Sequence, residues 1–229
     1  MQATHRKPSP RLTRSVEDYL KVIYHLSDRD GCASTGGIAA ELEVAAPSVS
    51  GMLKRLSEAE LIKYVPYRGV ELTREGRKAA VKMVRRHRII ELYLTKHLDY
   101  HWDNVHPEAE RLEHAVSDEL IEKMAVVLGN PRYDPHGDPI PTAAGEIEAT
   151  DLVPITAAMI GVKLELRQVA TQEPDRLRYL AEQGLTPGVR LTVTARQPFN
   201  GPITLSLGAS AAKRVIGTEL ANVLWCREV

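Results

Sequence analysis

His87 and Glu91 stand four residues apart, and His106 is followed by Glu110, Glu113 and His114 at offsets of four, seven and eight. On an α-helix these offsets fall on one face. Imidazole nitrogens and carboxylate oxygens gathered on such a face are the donors that hold a divalent cation. Clustered carboxylates repel one another unless a cation neutralises them. The spacing therefore points to a metal site. His5, His25, His97, His101 and His136 lie outside the pattern and read as ordinary core or surface histidines.

The elements that must position these donors follow from hydrophobic periodicity. Residues 15–27 read as a helix with Val16, Leu20, Ile23, Tyr24 and Leu26 on one stripe. A second helix is predicted from Thr35 to Leu42, capped by Ser34 or Thr35, and a third from Ala46 to Glu58 with Pro47 in its first turn. Residues 61–73 read as two short strands around a Tyr67-Arg68-Gly69 turn. Helix, helix–turn–helix and hairpin, in that order, make a winged helix–turn–helix. Thr73 caps a long helix to about His97, and Pro107 opens another that continues to Leu128. These two helices carry the donor set. A stretch rich in proline follows, and from about residue 152 strand signals dominate, with the turns of a small β-barrel.

The predicted fold is mainly α with a small β domain. Residues 1–73 read as the winged helix–turn–helix DNA-binding domain, 74–131 as the helical metal-binding domain, 132–151 as a Pro-rich linker, and 152–229 as a small β-barrel.

Bulk composition agrees with this division. Formal net charge is zero, but residues 1–90 hold 17 Lys/Arg against 10 Asp/Glu and residues 91–229 hold 13 against 20. The basic half is the one read as binding a polyanion. Two cysteines exclude a disulfide framework and fit a reducing cytoplasm. No apolar run is long enough to span a bilayer and the N-terminus lacks an apolar signal core. The predicted protein is cytoplasmic.

A recognition helix offers its N-terminal residues to the major groove. Here these are Ala45, Ala46, Pro47 and Ser48, which favour contacts to thymine methyls and reading of DNA shape. Ser48, Ser50, Lys54 and Arg55 are candidate phosphate contacts, and Arg68 at the hairpin tip is another. The expected partners are a palindromic duplex operator and a second copy of the chain; neither a membrane nor an organic substrate is expected.

These residues together resemble the metal-dependent repressors named for the diphtheria toxin repressor. The motifs are Val16-Glu17-Asp18-Tyr19-Leu20, Pro47-Ser48-Val49-Ser50, Arg85-Arg86-His87-Arg88 with Glu91, and the run from His106 to His114. The resemblance implies that residues 74–131 also dimerise and that residues 152–229 form an SH3-like, FeoA-like domain. It further implies a primary site of Asp18, Glu110, Glu113 and His114, and an ancillary site of His87, Glu91 and His106 to which Glu173 adds a ligand. Arg176 stands where a glutamine ligand is expected. The iron-responsive branch carries methionine and cysteine at the positions of Asp18 and Glu110. Carboxylates here replace soft sulfur with hard oxygen, which suits manganese. Lys21 stands where smaller manganese regulators carry a glutamate of a binuclear site, so that arrangement is not expected. The implied function is a Mn(II)-responsive repressor of metal-uptake genes, with Fe(II), Co(II), Zn(II) or Cd(II) accepted in vitro.

Three other readings compete. One is an iron-responsive repressor of the same family. Another is a winged-helix regulator that senses an organic ligand. The third is a carboxylate-bridged metalloenzyme, which uses Glu-x-x-His pairs on its helices. Arg111 and Val84 occupy the required positions before His114 and His87, so the enzyme reading fails.

Overall fold

The computed structural model describes residues 12–65, 69–208 and 211–229. The chain divides into two compact units, residues 1–84 and 85–229.

In the first unit, α1 (Arg14–Asp30) is enclosed along its middle, with Leu20 and Ile23 fully buried, and ends at Gly31 in the left-handed conformation. Helix α2 (Thr35–Glu41) is capped by the Ser34 hydroxyl, which accepts the Gly37 N–H at 3.0 Å. Helix α3 (Ala46–Glu58) opens with Pro47 and buries Val49, Leu53 and Leu56. Burying each such side chain contributes roughly 1.5–3 kcal/mol. Strands β1 (Ile62–Val65) and β2 (Gly69–Leu72) pair antiparallel. Gly69 has φ +107°, and a Cβ there would sit 2.4 Å from Ala33 O, so the position admits only glycine. Winged helix–turn–helix order is thus formed, and Arg68 lies outside the described residues.

Helix α4 (Arg74–His97) is capped by Thr73, whose Oγ1 accepts from Gly76 N at 3.1 Å. In the second unit the rest of α4 packs with α5 (His106–Leu112) and α6 (Asp118–Val127) around Ile89, Ile90, Leu94, Val105, Ala109 and Ile121. The predicted single helix from Pro107 to Leu128 is interrupted. It ends at Leu112, and Ser117 restarts it by accepting the Leu120 N–H at 3.2 Å. The cap competes locally with helix continuation.

The remaining strands are β3 (Val153–Pro154), β4 (Lys163–Val169), β5 (Arg190–Arg196), β6 (Ile203–Leu207), β7 (Ala212–Ile216) and β8 (Leu224–Glu228). They form one antiparallel sheet in the order β3-β8-β4-β5-β6-β7. Helix α7 (Pro174–Glu182), which strand signals alone do not predict, buries Leu177 and Leu180 in the core of this sheet; α8 (Thr218–Ala221) is a short connector.

The Pro-rich stretch is packed rather than loose. Ile140 belongs to the helical core, Ile140 N donates to Arg132 O at 2.8 Å, and Val169 N of β4 donates to His136 O at 2.9 Å. Among the described residues no helix is long and apolar enough to cross a membrane.

Candidate metal centre

His87 is the hub of the donor network. It sits on α4, buried, with both ring nitrogens facing carboxylates: Nδ1 lies 2.6 Å from Glu113 Oε2 and Nε2 lies 2.9 Å from Glu91 Oε1. With both carboxylates ionised, both contacts are hydrogen bonds only when both nitrogens carry protons, and a cation can take the place of such a proton. His106 opens α5, with Nδ1 3.0 Å from His87 Nε2 and 3.1 Å from Glu91 Oε1. Glu110, one turn on, brings Oε1 to 3.6 Å from His106 Nε2 and 3.9 Å from His87 Nδ1.

Glu113 and His114 fall in the turn after α5 rather than on the helix. Their side chains are buried and approach to 3.4 Å, and Arg86 Nη1 donates to Glu113 O at 3.2 Å. The family resemblance assigns Glu110, Glu113 and His114 to one site and His87, Glu91 and His106 to another. The structure instead joins all six through His87, with Glu110 beside His106. Asp18 belongs to the first unit, on α1, where Arg14 Nε is 3.9 Å from its Oδ2. Glu173 is the N-cap residue of α7, exposed, and paired with Arg176 at 2.6 Å; it is in none of the donor groups of the described residues.

A further group is not legible in the sequence. Glu91, Asp134 and His136 are all buried and bring one donor atom each to within 4.8 Å of one another. His136 Nε2 lies 2.8 Å from Trp102 O. A carbonyl can only accept, so Nε2 carries a proton, and in the neutral ring Nδ1 then presents its lone pair. That Nδ1 is 3.8 Å from Glu91 Oε2, and neither atom has a hydrogen-bond partner. An orphaned imidazole nitrogen facing an orphaned carboxylate oxygen fits a divalent cation. No periodicity marks His136; its signal lies in the turn Asp134-Pro135-His136-Gly137-Asp138.

The charges of this core are uneven. Burial pushes the Glu91 carboxyl up, but His87, His106 and His136 outweigh it and hold it well below the usual carboxylate range. Burial, together with the charges of Asp138 and Glu91, pushes Asp134 well above its ordinary value; Arg88 opposes this only in part.

In the first unit, Ala45, Ala46, Pro47, Ser48, Ser50, Lys54 and Arg55 are all exposed on or beside α3. Ser50 Oγ donates to Ala46 O at 3.2 Å.

Comparison with known proteins agrees with both halves of this description. Residues 11–70 match the family model described as iron dependent repressor, N-terminal DNA binding domain; residues 73–142 match its metal binding and dimerisation domain; residues 153–228 match the FeoA domain. The chain is 30% identical to a diphtheria toxin repressor from Corynebacterium glutamicum, over 95% of this chain and 98% of that one. It is 31% identical to the iron-dependent repressor IdeR of Mycobacterium tuberculosis, over 80% and 84%. Among solved structures, a manganese-dependent transcriptional repressor in complex with manganese superposes with a TM-score of 0.85 at 37% identity, covering 93% of this chain and all of that one. The apo form of the manganese-activated repressor ScaR gives 0.78 at 30% identity, covering 93% and 100%.

Proposed function

Because the chain belongs to the diphtheria toxin repressor family, and is therefore a metal-dependent, DNA-binding, homodimeric repressor and not an enzyme, we propose that manganese(II) is the cation that activates it. The observation that carries this reading is the donor set. His87, Glu91, His106, Glu110, Glu113, His114, Asp134 and His136 offer nitrogen and oxygen and no sulfur. Cys226 is buried in the sheet core, where burial pushes its thiol up to about 12, and Cys32 lies in the first unit. Oxygen and nitrogen donors suit manganese, which binds any given site less tightly than iron and must be selected by donor type and geometry.

On the resemblance, Asp18 joins Glu110, Glu113 and His114 as the primary ligands, while His87, Glu91 and His106 support them. Ligands drawn from both the DNA-binding and dimerisation regions let cation binding restrict the dimer to one spacing of its recognition helices. A half-site spacing near one turn of DNA is roughly 34 Å, which suits a palindromic operator. Moving such a two-state balance from 1:99 to 99:1 takes about 10⁴-fold differential affinity, or roughly 5.5 kcal/mol. The regulated genes on this reading encode metal uptake, and the protein works in the cytoplasm.

Iron is the second reading, favoured by relatives that are themselves named iron-dependent repressors. A titration of promoter binding with manganese, anaerobic ferrous iron, zinc and chelator separates the two. Manganese should activate binding at lower free concentration than ferrous iron, and equal activation by both refutes the manganese assignment.

A further inference from the structure

The turn that carries Asp134 and His136 is held from three sides. Asp134 Oδ1 accepts the backbone N–H groups of His136 and Asp138, each at 2.9 Å, so the carboxylate shapes its own loop. From α4, Arg88 Nη1 donates to Pro139 O at 2.6 Å and Nη2 to Asp138 Oδ1 at 3.3 Å, while Nε lies 3.7 Å from Asp134 Oδ2. From the sheet, Gln168 Nε2 of β4 donates to that same Asp138 Oδ1 at 2.9 Å.

Strand β4 is bulged at this point. Its register against β8 shifts between Leu166 and Gln168. A bulge re-aims the side chains beside it. Backbone contact here is also close: a Cβ on Gly137, at φ +89°, would sit 1.8 Å from Arg167 O. Asp138 Oδ1 is therefore one oxygen on which a helix donor and a sheet donor converge.

We propose that Gln168 and Asp138 are positioning residues for the buried Glu91–Asp134–His136 group, so that the FeoA-like sheet acts on the cation affinity of this group through Gln168. The proposal rests on the reading that this group binds a divalent cation. Gln168 fixes Asp138, Asp138 fixes the Arg88 guanidinium beside Asp134, and together they fix the turn relative to Glu91. A donor set must be held to within about 0.5 Å to bind well. Losing outer partners of this kind costs about 10–100-fold in metal affinity.

The test titrates the full chain with manganese(II) alone by calorimetry. Fluorescence is followed in a Trp225→Phe background, because Trp102 stacks on His136 at 5.6 Å and 24°. His136→Ala should lose one binding step; an unchanged titration overturns the cation site and this proposal with it. With that step identified, Gln168→Leu and Asp138→Ala should each weaken it about 10–100-fold, whereas Asp138→Asn, which keeps the acceptor oxygen, should stay within about threefold of the parent. Wild-type affinity in both Gln168→Leu and Asp138→Ala overturns the positioning role and leaves the site standing. A lowered melting temperature in chelator with unchanged affinity overturns that role as well, since a purely structural tie would do the same.

Discussion

Glu91 Oε2 and His136 Nδ1 face one another at 3.8 Å in a buried position, and neither makes a hydrogen bond. The other oxygen of Glu91 meets His87 and His106 at 2.9 and 3.1 Å. One carboxylate thus serves two donor groups, one oxygen to each. Glu91→Gln should weaken cation binding at both groups together, by more than about tenfold, since a buried charged donor is lost. Calorimetric titration with manganese(II) checks this. A change confined to a single step would mean that the two groups do not share Glu91.

Asp134 and Glu91 should respond to pH with opposite signs. Burial and the neighbouring Asp138 and Glu91 charges raise the Asp134 carboxyl above its ordinary 3.8, so the folded cation-free protein holds a proton that the unfolded chain releases. Stability then falls as pH rises above about 4 toward the raised value. Asp134→Asn removes this cost while its Oδ1 still accepts from His136 and Asp138. In chelator the variant should melt higher than wild type at pH 7, with the gain shrinking toward pH 4. Glu91 is depressed by its histidines despite burial, so its contribution is present at neutral pH and lost on acidification. Glu91→Gln should therefore lower the melting temperature at pH 7. Melts in chelator between pH 7 and pH 4 test the Asp134 sign, melts below the ordinary Glu91 value of 4.5 test the loss at Glu91, and an Asp134→Asn variant that melts lower at every pH would contradict the Asp134 account.

The winged unit is legible in the sequence because its signals are local. Ser34 before α2, Pro47 opening α3 and the paired strands around residue 67 each rest on a few neighbouring residues. The donors on α4 and α5 are legible from helical spacing. The break between α5 and α6 is hidden because Leu112 to Val116 are acceptable helix residues, while the Ser117 cap has to outcompete them. Helix α7 is hidden because Pro174 and its polar neighbours read as a loop; Leu177 and Leu180 become helical evidence once the sheet buries them. His136 escapes because Trp102, which sets its tautomer, is 34 positions away. No pattern along the chain encodes that contact.

His87 and Glu113 should act as one unit. The 2.6 Å contact between His87 Nδ1 and Glu113 Oε2 orients the carboxylate as well as the ring. Glu113→Ala should abolish cation-activated DNA binding, and His87→Ala should weaken it. The double variant should then lose no more than Glu113→Ala alone, because the residues couple directly. Gel-shift titration with manganese gives the three values. Full activation of Glu113→Ala would remove Glu113 from the regulatory site.

The exposed face of α3 makes a prediction about DNA that does not depend on which residues hold the metal. Ala45, Ala46 and Pro47 at its N-terminus lack side-chain donors, so specificity there rests on methyl contacts and DNA shape. Lys54, exposed two turns further along, suits a phosphate. Each phosphate neutralised contributes about −0.9 to the slope of log affinity against log salt on duplex DNA. Lys54→Ala should therefore flatten that slope by about 1 and weaken operator and random duplex alike. Ser48→Ala, nearer the groove-facing end, should lower operator affinity more than random-duplex affinity. Fluorescence anisotropy over a salt series, with saturating manganese, measures both quantities for each variant. An unchanged salt slope in Lys54→Ala would take that residue off the phosphate backbone, and equal losses on both duplexes in Ser48→Ala would take Ser48 out of base readout.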